Sequence, residues 1–115
     1  MLFRSAAPEI LQTGHPSPYM TFTFDVADAW RPRIAEVVHQ DGTARAQIVT
    51  PQSNPRYYEL LKKFAARTGI PVLLNTSLNR RGEPMVCSPD DALNMFYGSD
   101  LKNLAMGDFL VRKTG

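Results

Sequence analysis

The sequence predicts an α/β or α+β domain built on a mixed sheet with two main helices. Three observations carry that expectation. Several short segments alternate apolar and polar residues at strand spacing. One segment repeats apolar residues at helical spacing between a clear start and a clear stop. A second helical segment opens on a capping pattern. The 115 residues suit a single domain, 1–115, with one modest core.

The first eighteen residues read as irregular, because the prolines of His15-Pro16-Ser17-Pro18 disfavour helix in the residues before them. From Tyr19 to Val26 the chain alternates, with Tyr19, Thr21 and Thr23 on one side and Met20, Phe22 and Phe24 on the other. That pattern predicts a half-buried strand. Asp28 to Pro32 reads as a turn or short helical piece, and Ile34 to His39 as a strand. Asp41-Gly42 signals a hairpin turn. Ala44 to Thr50 alternates again, with Ala44, Ala46 and Ile48 toward the core and Arg45 and Gln47 opposite.

Asn54-Pro55 is an N-cap followed by a proline at the first helical position. Tyr57, Leu61, Phe64 and Ala65 then recur on one helical face. Gly69 stops the helix, and Pro71 prevents its continuation. The apolar run Val72-Leu73-Leu74 predicts a buried central strand. Ser88-Pro89-Asp90-Asp91 opens the second helix as a capping box, Ala92, Leu93, Met95 and Phe96 supply its apolar side, and Gly98 ends it. Leu104 to Met106 and Phe109 to Val111 predict two short strands around Gly107-Asp108.

Composition narrows the function classes. Hydrophobic residues make up 43% and charged residues 21%, as in ordinary globular proteins, and the net charge is +2. A balance that weak argues against nucleic acid as a partner. No apolar run reaches transmembrane length, and the N-terminus has no signal-peptide stretch, so a cytoplasmic soluble protein is expected. The single Cys87 forms no internal disulfide, in keeping with a reducing compartment, and it reads as a small core residue. No His, Cys and carboxylate cluster has metal-ligand spacing, so no tight metal site is expected. Asp90 and Asp91 fit helix capping better than paired catalytic carboxylates.

The chemistry is concentrated in Asn75-Thr76-Ser77-Leu78-Asn79-Arg80-Arg81-Gly82-Glu83-Pro84, which leaves the end of an apolar run. Ligands in open α/β sheets collect beyond strand carboxyl ends. Hydroxyl, amide and guanidinium groups suit phosphate oxygens or a small carbonyl. No lysine-bearing phosphate loop is present. On spacing alone, a solvated turn-rich loop is an equally open reading. Arg45 is open to two readings, a ligand contact or a solvated strand face. Thr43 either donates its hydroxyl to a ligand or completes the turn. His39 is either structural or a titratable site residue.

Four segments, in order, resemble the C-terminal domain of the O-carbamoyltransferases of nodulation-factor and antibiotic biosynthesis. They are His15 to Met20, His39 to Gln47, Pro71 to Cys87 (PVLLNTSLNRRGEPMVC) and Gly107 to Val111. The resemblance implies a YrdC-like fold, a twisted α/β sheet around a concave site. It also implies binding of ATP with Mg2+ and of carbamoyl phosphate, to form a carbamoyl-adenylate for transfer to a hydroxyl acceptor. Transfer in that family takes place on a separate N-terminal domain of the actin-like ATPase type, which is not in this chain.

Thr76-Ser77-Leu78-Asn79 looks like the family's Ser-x-Asn nucleotide element. Ser77 and Asn79 are thus expected phosphate or carbamoyl binders, and Arg81 a charge clamp. Asn79 and Arg81 would be catalytic, with Thr76, Arg80, Arg45, Thr43 and His39 as further substrate- or nucleotide-binding residues. The Ser77, Asn79 and Arg81 side chains are expected to converge on one anion pocket.

The family's Lys-x-Arg element is expected upstream of Phe3-Arg4-Ser5, where this chain begins. The domain is therefore expected to be incomplete, with an open sheet edge that invites a homo-oligomer, and the chain alone to be inactive. The alternative is a non-catalytic phosphate- or nucleotide-binding, or oligomerisation, module left from that domain.

Overall fold

The computed structural model describes residues 1–114. The single expected domain is built as two compact units, Met1–Asn75 and the chain from Thr76 onward. The class is mixed α/β, with the strands in three two-stranded ladders.

The first unit contains β1 (Leu2–Phe3), α1 (Ala7–Leu11), β2 (Thr23–Asp25), β3 (Thr43–Arg45), β4 (Ile48–Val49) and α2 (Pro55–Thr68). β1 pairs in parallel with β4, Leu2 beside Ile48, and β2 pairs antiparallel with β3, Thr23 beside Arg45. The core gathers around Leu2, Ile10, Val26, Trp30, Ile34 and Ile48.

The expected boundary signals of α2 are realised at both ends. The Asn54 side chain accepts from the Tyr57 amide, and Gly69 closes the helix at φ 72°. Leu61 is fully buried at 0% exposure.

Five expectations for this unit change. The first eighteen residues are not irregular throughout. They include β1 and the five-residue α1, too short to show helical periodicity and held by burial of Ala7, Ile10 and Leu11. The Tyr19–Val26 strand shrinks to β2. The hydroxyl of Ser17, which is 1% exposed, donates to both Ala46 O and Tyr19 O at 2.9 Å. That turns the chain at Tyr19, and Thr21 N–H closes back on Tyr19 O at 2.8 Å.

The expected strand Ile34–His39 is instead 3₁₀ structure, Arg31–Arg33 and Ala35–Val37. Its hydrogen bonds are local, Ile34 N–H to Trp30 O and Val37 N–H to Ile34 O, and the β3 edge is already taken by β2. The expected strand Ala44–Thr50 divides because it changes partner, from β2 to β1, between Arg45 and Ile48. Its facing is as expected: Ala44, Ala46 and Ile48 are buried and Arg45 is exposed.

Val72-Leu73-Leu74 is not a buried central strand. It bridges only Leu2, with Leu73 N–H donating to Met1 O at 2.9 Å, and Leu74 is 60% exposed. A strand bonded on one side lacks the second neighbour that would bury it.

Asp41-Gly42 forms the expected turn, with His39 N–H to Thr43 O at 2.7 Å and Gly42 N–H to His39 O at 3.0 Å. Gly42 sits at φ 83°, and a Cβ there would meet Arg31 Cζ at 2.7 Å. Arg31 lies flat on this backbone while its Nε donates to Val26 O and its guanidinium pairs with Asp28 at 2.9 Å. The turn is thereby tied to the 3₁₀ segment.

The second unit contains α3 (Pro89–Tyr97), β5 (Asn103–Met106) and β6 (Phe109–Arg112), the last two an antiparallel hairpin turned at Gly107. Ala92, Phe96 and Leu104 form its buried cluster, backed by Leu78, Val86, Leu93, Met106 and Val111. Among the described residues no helix is long and apolar enough to cross a membrane.

Candidate functional site

The turn between the 3₁₀ segment and β3 presents His39, Asp41 and Thr43 together. The Thr43 backbone N–H donates to Asp41 Oδ1 at 3.0 Å, and its hydroxyl donates to the same oxygen at 2.7 Å. These bonds, with the hydroxyl contributing most, hold the Asp41 carboxyl below its ordinary pKa. His39 Nδ1 lies 3.0 Å from Thr43 Oγ1.

His39 and Arg45 line one cavity of about 230 Å³, with Glu36 and Asn75 as further polar walls and Leu2, Ile10 and Ile34 among the apolar ones. Sites that enclose a drug-sized ligand run roughly 300–1,000 Å³, so this cavity suits a small anion or part of a larger ligand. Arg45 is exposed and, among the described residues, engages in no ion pair, which leaves its fork open to an anion.

Asn75 belongs to the expected hydrogen-bonding stretch but is not among the expected binding residues. Its amide donates to Gln47 Oε1 at 3.0 Å, and this holds it at the cavity wall. The available signal was its place immediately after the apolar run. Glu36 gave no signal, because only the 3₁₀ geometry carries it to the cavity.

In the second unit the loop folds on itself. The Asn79 amide donates to Arg80 O at 3.2 Å and to Glu83 O at 3.0 Å. Glu83 N–H donates to Arg80 O at 3.0 Å, and Gly82 takes φ 84°. Arg80 Nε pairs with Glu83 Oε2 at 3.0 Å, and its guanidinium covers Gly98, where a Cβ would come within 2.5 Å of Nη1. A cation at the C-terminal end of α3 complements the helix dipole.

Asn79 and Arg80 line a second concavity with Glu83, Cys87 and Asp91. Thr76, Ser77 and Arg81 are exposed and do not line it. The expected convergence of Ser77, Asn79 and Arg81 on one pocket is therefore not seen. The physical reason is that the Asn79 donors close the turn, and the reversal at Gly82 turns the chain just after Arg81.

The capping of α3 is as expected and denser. Ser88 Oγ donates to Asp91 Oδ2 at 2.7 Å, Ser88 N–H at 3.1 Å, and Asp91 N–H returns a bond to Ser88 Oγ at 3.1 Å. Cys87 is exposed rather than a core residue, because its thiol is drawn to the same Asp91 oxygen at 3.3 Å. The hydrogen bond to Asp91 raises the thiol pKa and keeps it protonated and sluggish.

Bonds from Ser88 and then Cys87 lower the Asp91 pKa. A carboxyl held lower in the fold stabilises it above the ordinary carboxylate pKa, and that gain is lost as pH falls through the folded value. On acid titration below about pH 4, the Ser88 and Asp91 amide resonances are expected to lose their cap signature. An Asp91→Asn protein with the same acid profile would overturn this.

Among the described residues no three His, Cys, Asp or Glu side chains gather where they could hold a metal ion.

A mixed α/β domain with concavities beside short strands, largely apolar and edged by a few polar side chains, is the class that fold and geometry define. The chain matches the family described as Carbamoyltransferase C-terminus over residues 1–113, and it belongs to that family. Nodulation protein NolO of Bradyrhizobium diazoefficiens is 44% identical over a stretch covering 84% of this chain and 18% of that protein. Nodulation protein U of Rhizobium tropici is 43% identical over 80% of this chain and 16% of its own length. An uncharacterized protein of Synechocystis is 37% identical over 97% of this chain and 23% of its own length. The chain thus spans less than a quarter of each of these relatives.

Proposed function

We propose that this chain serves as the substrate-activating part of a carbamoyltransferase, binding carbamoyl phosphate and ATP toward a carbamoyl-adenylate for transfer to a hydroxyl acceptor. The observation that carries this reading is the family match across residues 1–113. The cavity of the first unit supports it. At about 230 Å³, with an unpaired guanidinium at its wall, it fits an anion the size of carbamoyl phosphate better than a whole nucleotide.

In this reading Arg45 takes the phosphate, and Asn75 and His39 address the neutral end. Ser77, Thr76 and Arg81, exposed on the loop, are donors for nucleotide phosphates, and Asn79 holds that loop in shape. Magnesium would supply charge neutralisation to the nucleotide phosphates, arriving with them rather than in an acidic cage of this chain. Transfer itself belongs to parts of the longer relatives beyond this stretch, and the cytoplasm, with its ATP and reduced thiols, is the fitting compartment.

A second reading is a binding module without turnover. It is favoured by Asn79 and Arg80 directing their donors into the loop itself.

Calorimetry with ATP and with carbamoyl phosphate tests the first reading. Wild type is expected to bind both. Asn79→Ala is expected to weaken ATP about tenfold, as one or two hydrogen bonds that shape the loop are lost. Equal ATP binding by both proteins would remove Asn79 from the site. Binding of neither ligand by wild type would overturn the reading.

A further inference from the structure

The hydrogen bonds at the 39–43 turn admit one arrangement of protons. An ionised carboxylate only accepts, so Asp41 Oδ1 receives both the Thr43 amide and the Thr43 hydroxyl. The hydroxyl has one proton and has given it to Asp41 at 2.7 Å. What it turns toward His39 Nδ1, 3.0 Å away, is a lone pair. Nδ1 must then be the donor. In the neutral ring this leaves Nε2 bare, an acceptor whose identity is set two residues away by Asp41.

His39 lines the same cavity as Arg45. The Arg45 fork, with its five N–H donors, and the His39 ring, with its acceptor nitrogen, thus both belong to the lining of this cavity. Carbamoyl phosphate is complementary to both, with an anionic phosphate at one end and an amino group with two N–H donors at the other. Acetyl phosphate has the same anion but a methyl group in place of the amino group.

We propose that His39, locked by Thr43 and Asp41 with its proton on Nδ1, is a specificity-determining residue that accepts an N–H of the carbamoyl group and so prefers carbamoyl phosphate over acyl phosphates lacking that donor. The inference rests on the reading of this cavity as the carbamoyl phosphate site. Asp41 and Thr43 act as positioning residues through the ring. His39 is exposed, so an analogue without the N–H leaves its acceptor to water, and the preference is the modest one of a hydrogen bond made to ligand rather than to solvent. Glu36 lines the same cavity and also accepts N–H donors, but it takes no part in the Asp41–Thr43 relay, so variants of the relay separate the two contributions.

The experiment has two arms on the 115-residue chain. Nitrogen-15 spectra of the His39 ring, taken at a pH where it is neutral, are expected to show Nδ1 protonated and Nε2 bare in wild type. Asp41→Ala and, independently, Thr43→Val are expected to populate both tautomers, and the spectra report folding of each variant at the same time. Calorimetry with carbamoyl phosphate and with acetyl phosphate is expected to show a preference of about five- to tenfold for the former in wild type, the worth of one hydrogen bond. That ratio should fall toward one in both variants.

Equal affinities in wild type, or a preference that survives a released tautomer, would overturn the inference while leaving the cavity as an acyl phosphate site. A ring protonated on Nε2 in wild type would overturn it as well. Binding of neither ligand would overturn both the inference and the reading beneath it.

Discussion

Truncating Phe96 to alanine is expected to destabilise the second unit by about 3–5 kcal/mol, the usual cost of emptying a buried aromatic site. Phe96 is 0% exposed and centres a cluster whose other buried members, among the described residues, are Ala92 and Leu104. In a core that small, one aromatic ring is a large share of the buried apolar surface. Hydrogen exchange should show protection lost from α3 through the β5–β6 hairpin. Phe109 provides the contrast: at 74% exposure, its replacement by serine should change stability by no more than about 0.5 kcal/mol. If the two substitutions had equal effects, the cluster would not be what holds this unit together.

Replacing Arg45 by alanine is expected to weaken carbamoyl phosphate by about ten- to a hundredfold, because a charge-assisted, two-pronged contact is worth about 1.5–3 kcal/mol. Arg45 stands on β3 opposite Thr23, exposed at the cavity that His39 also lines. Its loss should leave the fold intact, since its side chain contributes nothing to the buried core. Lysine at this position should restore only part of the affinity, as a point charge lacks the planar fork. Titration calorimetry at fixed, low ionic strength reads both effects. Unchanged affinity in the alanine protein would move the anion site elsewhere.

The elements with their own chemical punctuation were legible residue by residue. Asn54-Pro55 and Gly69 bound α2 as expected, Ser88 and Asp91 cap α3 reciprocally, and Gly107 turns the last hairpin. Side-chain facing was legible too: Ala44, Ala46 and Ile48 point inward although the strand they share is divided. In the candidate site, the 39–45 stretch and the loop after Leu74 both stood out by their hydrogen-bonding groups. The segments that misled were those whose apolar residues were ready for more than one partner. Ile34 to His39 has strand-like residues, yet its backbone bonds are satisfied locally. Cys87 reads as core by composition and is exposed, because a carboxylate four residues on attracts its thiol.

Caps, turns and facing depend on interactions within about four residues, so the order of residues was enough to specify them. Pairing, burial and convergence depend on which distant groups arrive first. Only the folded chain decided that β3 belongs to β2 and that Leu74 lies open. The same holds for the Asp41–Thr43–His39 relay: its residues are neighbours in sequence, but the direction of its proton was readable only from the distances between them.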